Sequence, residues 1–377
     1  MKVTTGMLSD FFKTLRFLHR VQQDKVSYRE LIEFLYKETP PEDNNFLRYN
    51  CTPHIEEVIK FGTEKKNAVL FSIIIPTYNR CELLTKTINA AAGQNIIPLG
   101  GLELVIIDNG SKDATKEVVT HFASSRRHLR VVYVKLKNNH GPPFARNLGV
   151  IYSRGSLVAF CDDDFLVPPD WLSAFKRELD ADPEIAGVGG FKVPKSTKND
   201  LDIYHRFLMW GHFFQAHVRT KDASFFNRCG IGANVCYRRE VFEKLGGINL
   251  YFKHVGFREF KARISKSGLK LLYEPKMVEH FADFSLTTHI RKLFPQGWDW
   301  YLLHVLHPDI QRSPSFSYFL KRIARDIRVI FTNKEKKPFF NGSFREMISF
   351  SLLSVITNFF LWFGKYWTLF TRRGFVR

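Results

Sequence analysis

The stretch Leu157-Val-Ala-Phe-Cys-Asp-Asp-Asp-Phe-Leu-Val-Pro-Pro-Asp170 joins a short apolar run to three successive carboxylates. Leu157 to Phe160 have the composition of a buried strand, and Pro168-Pro169 is typical of a helix start. Asp162-Asp-Asp164 would then end a strand, where the carboxylates repel one another unless a positive group lies among them. Because Mg²⁺ commonly joins one or two carboxylates to substrate phosphates, the stretch predicts a metal–diphosphate site. The alternative is an acidic turn that caps the next helix.

Apolar runs alternate with helical patterns before this stretch, which predicts an α/β fold with a Rossmann-like, mostly parallel central sheet flanked by helices. The predicted strands are Val69–Ile75, Leu102–Ile107, Val131–Val134 and Leu157–Phe160, and the predicted helices are Glu82–Ala92, Lys112–Phe122 and Pro142–Ser153. Right-handed crossovers place the carboxyl ends of parallel strands at one edge of the sheet, where ligands bind in such folds. Pro76-Thr-Tyr-Asn79, Asp108 and Asp162-Asp-Asp164 should therefore meet there.

The composition restricts the class of partner and the compartment. The chain of 377 residues has a formal net charge of +19 and a pI near 9.7, so anionic partners are expected. Nucleotide phosphates, an anionic membrane face and nucleic acid are candidates. Nucleic acid is not expected, because its motifs are absent and the charge is spread along the chain. The five cysteines are scattered and lack a CxxC pair. With no apolar leader segment at the start, these features indicate a cytoplasmic protein.

The C-terminal segment Phe350–Phe370 is apolar but is interrupted by Ser351, Ser354, Thr357, Asn358, Gly364 and Lys365. A membrane span needs about 20 predominantly apolar residues. We therefore expect an interfacial helix, with Trp362, Tyr366 and Trp367 near the lipid headgroups. Lys321, Arg322, Arg325 and Arg328 would add attraction to anionic lipid. The alternative is a helix packed on the core of the protein itself.

Four motifs follow one another in the sequence: Ile73-Ile-Ile-Pro-Thr-Tyr-Asn-Arg80, Val105-Ile-Ile-Asp-Asn-Gly-Ser-Lys-Asp113, Gly141-Pro-Pro-Phe-Ala-Arg-Asn-Leu-Gly149 and Val158-Ala-Phe-Cys-Asp-Asp-Asp164. Neither GxGxxG after a strand nor GxxxxGK[ST] is present. In this order the motifs resemble those of family 2 glycosyltransferases, over a segment from about Phe71 to His280. The resemblance implies the GT-A fold, a nucleotide-sugar donor, a divalent metal (Mn²⁺ or Mg²⁺) and inversion at the anomeric carbon.

The resemblance also implies roles for individual residues. Pro76, Thr77, Tyr78 and Asn79 would line the nucleoside, with the Tyr78 ring as a stacking surface, and Asp108 would accept a hydrogen bond from the base. Arg146 would contact phosphate or pair with Asp164, and Asp162 and Asp163 would lie beside the donor. The metal ligands would be Asp164, Asp162 and His280. From the residues alone, Tyr78 could be a rim aromatic, Asp108 a turn former, Arg146 a structural ion pair and His280 a hydrogen-bonded rim residue.

The acceptor side and the catalytic base are less well matched. Gly232, Asn234 and Trp298 are assigned to the acceptor side, with Trp298 alternatively a core residue. The acidic pair that the family carries at the start of a helix is replaced by Gly256-Phe257, which leaves Glu259 as the nearest acid and our candidate base. His254 and Asp222 are the alternatives for the base. Glu259 could instead pair with Lys261 or Arg263 on a helix face.

These observations predict three segments: a helical N-terminal extension at 1–68, a glycosyltransferase domain at 69–285, and a basic, aromatic helical region at 286–377. The predicted helices of the extension are an amphipathic helix around Phe11–Leu18 and a second helix at Tyr28–Tyr36. The domain would comprise a nucleotide-binding half (69–192) and an acceptor half (193–285). The predicted activity is metal-dependent, inverting transfer from a nucleotide-sugar, with UDP-sugar first, to a cell-envelope glycan or lipid-linked acceptor. The alternatives are a nucleotidyltransferase-like enzyme and a non-catalytic nucleotide- or membrane-binding protein. Peripheral contact with the inner face of the cell membrane is also expected.

Overall fold

The computed structural model describes residues 20, 25–36, 45–62, 69–95, 101–195, 233–281, 285–311, 315–332 and 344–371. Two predictions made for Asp222 and Gly232 lie outside these residues, as does the helix predicted around Phe11–Leu18. The chain divides into two compact units. The sheet unit comprises Glu42–Leu250 and Gly256–Asp283, and the helical unit comprises Met1–Pro41, Tyr251–Val255 and Phe284–Arg377.

Within the described part of the sheet unit, nine strands form one sheet in the order β1-β4-β3-β2-β5-β8-β7-β9-β6. The strands are β1 (Ile55–Phe61), β2 (Val69–Thr77), β3 (Gly101–Asp108), β4 (Arg130–Leu136), β5 (Leu157–Phe160), β6 (Phe165–Leu166), β7 (Ile185–Pro194), β8 (Val235–Arg238) and β9 (Lys270–His280). The strands β4, β3, β2 and β5 pair in parallel, as do β7 and β9. The predicted α/β fold with a Rossmann-like central sheet is confirmed.

Helices cover both faces of this sheet. They are α2 (Cys81–Ala92), α3 (Thr115–Ser124), α4 (Pro142–Tyr152), α5 (Trp171–Ala181), α6 (Arg239–Leu245) and α7 (Gly256–Lys266). One buried cluster packs α4, α6 and α7 on the sheet, and a second packs α2, α3 and α5 on its other face. Because both faces are covered, the central strands are continuous apolar runs rather than alternating ones. This burial holds the loops at the ends of the strands in place.

The strand register brings the predicted loops to the same edge. Thr77 of β2 pairs with Asp108 of β3, so both strands end together. β5 ends at Phe160 opposite Ile74, and the amide of Cys161 donates to the carbonyl of Ile74 at 3.1 Å. The three acidic residues after Cys161 therefore lie alongside the end of β2. The predicted convergence at the carboxyl edge is observed.

The N-terminal segment differs from the prediction of a helical extension up to residue 68. Ile55–Phe61 forms β1, an antiparallel edge strand on β4, and belongs to the sheet unit. Its side chains alternate between partly buried and exposed, which is the period-2 pattern of a half-buried strand. The sheet unit accordingly begins at Glu42 rather than at residue 69. The helix predicted at Tyr28–Tyr36 is present as α1.

The helical unit contains α1 and three longer helices. These are α8 (Leu286–Leu306), α9 (Phe316–Thr332) and α10 (Phe344–Thr371). α8 and α10 approach closely through glycine: a Cβ on Gly297 would lie 1.9 Å from the carbonyl oxygen of Leu361. A Cβ on Gly364 would meet the carbonyl of Phe294 at 2.3 Å. Among the described residues, α10 is the one helix long and apolar enough to cross a membrane, over Met347–Gly364.

Candidate active site

The loops after β2 and β3 are fastened to each other by backbone hydrogen bonds. The amide of Asn109 donates to the carbonyl of Thr77 at 2.9 Å, and the amide of Asn79 donates to Ser111 Oγ at 2.9 Å. Asn79 has a positive φ of 52°, and its Oδ1 accepts from the amide of Lys112 at 2.8 Å. Asn tolerates this left-handed conformation better than most residues do. The two loops therefore form a single fixed rim.

The middle carboxylate of the acidic run is buried and hydrogen-bonded through both oxygens. Asp163 Oδ2 accepts from Thr77 Oγ1 at 2.9 Å, and its Oδ1 accepts from Arg80 Nη1 at 3.0 Å. Burial raises the pKa of Asp163 to about 6, and the charge of Arg80 opposes that rise. The Asp163 carbonyl also accepts from Thr87 Oγ1 at 2.9 Å. Asp163 therefore ties the acidic run to the β2 loop and α2.

Asp164 and His280 are brought together by the pairing of two short strand ends. Phe165 of β6 stands opposite His280 of β9, and His280 Nε2 lies 3.2 Å from Asp164 Oδ2. Arg80 Nη1 donates to the same oxygen at 2.9 Å. Burial would raise the pKa of Asp164, but the hydrogen bond from His280 and the charge of Arg80 outweigh burial and hold it below its usual value. Asp164 is therefore ionised in this site.

Asp162 pairs with Arg146 on the other side of the cluster. Arg146 Nη2 donates to Asp162 Oδ1 at 2.7 Å, and the Asp162 side chain keeps a quarter of its surface exposed. The Arg146 guanidinium also lies over the ring of Phe257, 5.0 Å from its centroid. The structure thus pairs Arg146 with Asp162, rather than with Asp164. The start of α7 lies beside this ion pair.

The donor set at this edge is suited to a hard divalent cation shared with a ligand. Asp164 Oδ1 is buried and has no hydrogen-bond partner among the described residues, and Asp162 offers a second carboxylate. No group of three or more His, Cys, Asp or Glu side chains in the described residues is arranged as a complete metal site. Mg²⁺ usually binds one or two protein carboxylates and completes its shell with waters and substrate phosphates. Asp164 and Asp162 supply carboxylates for such an arrangement, and the assignment of Asp164, Asp162 and His280 as metal ligands stays a prediction.

Tyr78 and Asp108 lie at the same rim but differ in accessibility. The Tyr78 side chain is 41% exposed and can offer its ring to a ligand. Asp108 is buried, its Oδ1 accepts from the amide of Ser111 at 2.7 Å, and its Oδ2 accepts from Tyr133 Oη at 2.6 Å. In this structure Asp108 forms the turn ahead of Gly110, the alternative role considered from the sequence. A hydrogen bond donated by a nucleotide base to Asp108 stays a prediction.

Glu259 is enclosed rather than open to an acceptor. It has no exposed surface, and both of its oxygens accept from Arg263, at 2.7 Å from Nε and 2.9 Å from Nη2. Arg263 Nη2 also donates to the carbonyl of Gly247 at 2.6 Å. A general base must reach the hydroxyl proton that it accepts. In this geometry Glu259 is a structural partner of Arg263. The sequence predicted a carboxylate that an acceptor hydroxyl can reach, and the structure shows an enclosed one.

Two of the residues assigned to the acceptor side are also enclosed. Asn234 is fully buried, has a positive φ of 64°, and accepts from Trp171 Nε1 at 2.6 Å. Trp298 is fully buried in α8 of the helical unit. Neither side chain offers surface to an acceptor in this structure. Their arrangement corresponds to core residues, which was the alternative reading for Trp298.

The sequence alone underestimates the structural roles of two residues in the quoted motifs. Arg80 ends the first motif and bonds both Asp163 and Asp164. Asn147 exchanges two hydrogen bonds with Ile248, from its Nδ2 to the carbonyl at 2.8 Å and from the amide to its Oδ1 at 2.7 Å. The role of Arg80 could have been predicted, because a basic residue follows a strand that ends at the same edge as three carboxylates. No local pattern indicates the partner of Asn147, which is 101 residues away.

Comparison with known proteins gives a consistent result for the sheet unit. Residues 72–246 match the model described as Glycosyl transferase family 2. A glucosyl-dolichyl phosphate glucuronosyltransferase of Haloferax volcanii is 24% identical over 271 residues, which cover 66% of this chain and 82% of that protein. An O-antigen chain rhamnosyltransferase, RfbN, of Salmonella typhimurium is 27% identical over 255 residues, covering 64% of this chain and 74% of that protein.

The fold of this chain resembles that of a solved structure. The mannosyltransferase PcManGT of Pyrobaculum calidifontis, in complex with GDP-Man and Mn²⁺, superposes with a TM-score of 0.53. The superposition covers 82% of this chain and 89% of that one, at 17% sequence identity. The GT-A fold expected from the sequence is confirmed.

Proposed function

Because residues 72–246 belong to glycosyl transferase family 2, we propose that this glycosyltransferase is metal-dependent and inverting. The proposed donor is a nucleotide-sugar, with UDP-sugar first and dTDP- or GDP-sugars as alternatives. The proposed acceptor is a cell-envelope glycan or a lipid-linked sugar, reached at the inner face of the cell membrane. The names of the relatives from Haloferax volcanii and Salmonella typhimurium support this acceptor class.

One observation supports the metal-dependent part of the proposal above all others. Asp164 is buried and ionised, yet its Oδ1 has no hydrogen-bond partner among the described residues. Leaving a buried carboxylate oxygen unbonded is expensive, because its desolvation is not offset by any contact. A divalent cation that also contacts a nucleoside diphosphate would satisfy that oxygen. Bound there, the cation would stabilise negative charge on the departing diphosphate.

The side chains of the protein have separate tasks in such a reaction. The exposed ring of Tyr78 would stack on the base. Arg80, held by Asp163 and Asp164, and Arg146, held by Asp162, would donate hydrogen bonds to phosphate oxygens. The acceptor hydroxyl oxygen forms a bond to the anomeric carbon as the bond from that carbon to the diphosphate oxygen breaks. The hydroxyl proton passes to a base on the acceptor side of the site.

The proposal is tested by donor binding followed by turnover. The full-length protein is screened for thermal stabilisation by UDP, GDP, dTDP and their sugars, with and without Mn²⁺. A metal-dependent shift for a nucleoside diphosphate and its sugar is expected, because a ligand that binds only the folded state raises the melting temperature. Release of the same diphosphate from its sugar, dependent on Mn²⁺, would follow. Absence of stabilisation by every diphosphate in the presence of metal contradicts the proposal.

A further inference from the structure

The outer side of α10 is a continuous apolar stripe. Its members are Phe344, Ile348, Leu352, Val355 and Phe359, each between 42% and 71% exposed. On a helix with 3.6 residues per turn, these five positions fall within about 80° of one another. Trp362 and Tyr366, both partly buried, continue the same stripe toward the end of the helix. We call this set the α10 stripe.

Three polar residues of α10, Ser354, Thr357 and Asn358, are buried on the side away from the stripe, inside the helical unit. Ser354 Oγ donates to Asp326 Oδ2 of α9 at 3.1 Å, and Asn358 Nδ2 approaches the same oxygen at 3.4 Å. Thr357 Oγ1 lies 2.9 Å from His289 Nε2 of α8. Three of the residues that interrupt the apolar run, Ser354, Thr357 and Asn358, therefore contact neighbouring helices. The buried side of α10 combines these polar groups with Phe350 and Leu361, while its exposed side is apolar along the stripe. A helix that packs on a water-soluble core exposes polar residues instead.

The exposed side of α9 continues this surface and adds positive charge. The ring of Phe316 on α9 lies 5.1 Å from the ring of Trp362 on α10, so the apolar surfaces of the two helices are joined. Phe316, Leu320 and Phe331 are each about half exposed and fall within about 60° on α9. The exposed positions Lys321, Arg325 and Arg328 occupy the adjacent sector of about 60°.

We propose that the α10 stripe and the exposed apolar side of α9 insert into the surface of an anionic phospholipid bilayer. The apolar side chains would lie among the upper acyl chains. The basic sector of α9 would contact anionic headgroups, each Lys or Arg adding electrostatic attraction to the anionic surface. Charged side chains are costly at the centre of a bilayer, so a helix pair with this basic sector lies in the plane of the interface.

This inference specifies how the peripheral membrane contact is made, and it does not depend on the transferase reaction. Contiguous exposed apolar surface of this kind marks a membrane or protein partner, because water does not stabilise it. The neighbouring positive sector favours anionic lipid over a second copy of this basic chain, whose own net charge of +19 would oppose self-association.

The test is flotation of the full-length protein with vesicles of phosphatidylcholine alone or mixed with phosphatidylglycerol. Wild-type protein is expected to float with the anionic vesicles and to lose binding as salt rises. Leu352→Glu combined with Phe359→Glu should weaken binding by more than about tenfold, because each apolar side chain contributes about 1.5–3 kcal/mol when buried. Lys321→Gln combined with Arg328→Gln should remove most of the preference for phosphatidylglycerol.

The matched control is Val58→Glu combined with Ile151→Glu, which replaces exposed apolar residues of the sheet unit and should bind vesicles like wild type. Circular dichroism checks that each variant is folded. Equal flotation of the stripe variant and wild type overturns the inference. So does a wild type that ignores vesicles but forms a dimer that the stripe variant cannot form. Thermal shifts with nucleoside diphosphate and Mn²⁺ report on the transferase proposal separately.

Discussion

The guanidinium of Arg80 lies between two carboxylates: its Nη1 is 3.0 Å from Asp163 Oδ1 and 2.9 Å from Asp164 Oδ2. The Arg80 side chain is 42% exposed, and its other nitrogens have no hydrogen-bond partner among the described residues. The aspartates thus fix the direction of the guanidinium while leaving part of it open. Arginine in this state is suited to donating to a phosphate oxygen, because its planar group keeps its orientation.

Arg80→Ala is expected to weaken the binding of nucleoside diphosphate by about tenfold, the loss of one charge-assisted hydrogen bond of about 1.5 kcal/mol. Arg80→Lys should recover part of that affinity, since the charge is kept and the fixed orientation is lost. Isothermal titration calorimetry with UDP or GDP and Mn²⁺ measures both values. Arg177→Ala, a change at an exposed arginine of α5, is the control. An Arg80→Ala protein with wild-type affinity would remove Arg80 from the binding site.

Glu259→Gln separates a structural role from the catalytic role predicted by the sequence. Removing one partner of a buried ion pair typically destabilises a protein by about 3–5 kcal/mol. The enclosed pair of Glu259 and Arg263 therefore predicts a lower free energy of unfolding, measured by urea denaturation. The catalytic role predicts instead a lower turnover number with unchanged stability and nucleotide affinity. Unchanged stability would contradict the structural role, and unchanged turnover would exclude Glu259 as the base.

The stability of the helical unit should depend on pH through Asp299. Burial raises the pKa of this carboxyl to about 7, although the amides of His254 and Val255 donate to Oδ2 at 2.6 and 3.0 Å. Between about pH 4 and pH 7 the folded state holds a proton that the unfolded chain has lost, so the free energy of unfolding falls as pH rises. The fall over this window should amount to a few kcal/mol.

Asp299→Asn keeps a carbonyl oxygen for the two amides but removes the charge, so the dependence on pH should flatten. Urea denaturation of both proteins across this pH range measures the effect. Asp180→Asn, at an exposed position of α5, should leave the slope unchanged. A wild-type slope in the Asp299→Asn protein would show that another group causes the dependence.

The sequence predicted those elements whose signal is local. Leu157–Phe160 was recognised as a strand because it is a short apolar run closed by charged residues, and its bounds agree with the structure. The convergence of Thr77, Asp108 and the acidic run followed from the rule that parallel strands end at one edge. The predicted bounds of α2, α3 and α4 are correct to within a few residues. Hydrophobic periodicity predicts that a helix is present more accurately than it predicts where the helix begins and ends.

Contacts between residues far apart in the chain could not be predicted from the sequence. The contact between Asn147 and Ile248 spans 101 residues, and Glu259 gave no sign that Arg263 would enclose it completely. Ile55–Phe61 was missed because its alternation is weak and it lies among helical and charged segments, although pairing with β4 stabilises it as an edge strand. Ser354 and Asn358 interrupt the apolar run of α10, and the reason is visible only in the structure, where both contact Asp326 on α9.

Asp164 is proposed to hold a divalent cation together with a nucleoside diphosphate at the carboxyl edge of the sheet. Calorimetric titration of UDP and GDP into wild type and Asp164→Asn, with and without Mn²⁺, measures this binding. At least one diphosphate should bind wild type more than about tenfold more tightly with Mn²⁺ than without, and Asp164→Asn should lose that gain while staying folded. Equal metal-dependent binding by both proteins, or no diphosphate binding in the presence of Mn²⁺, would contradict the account.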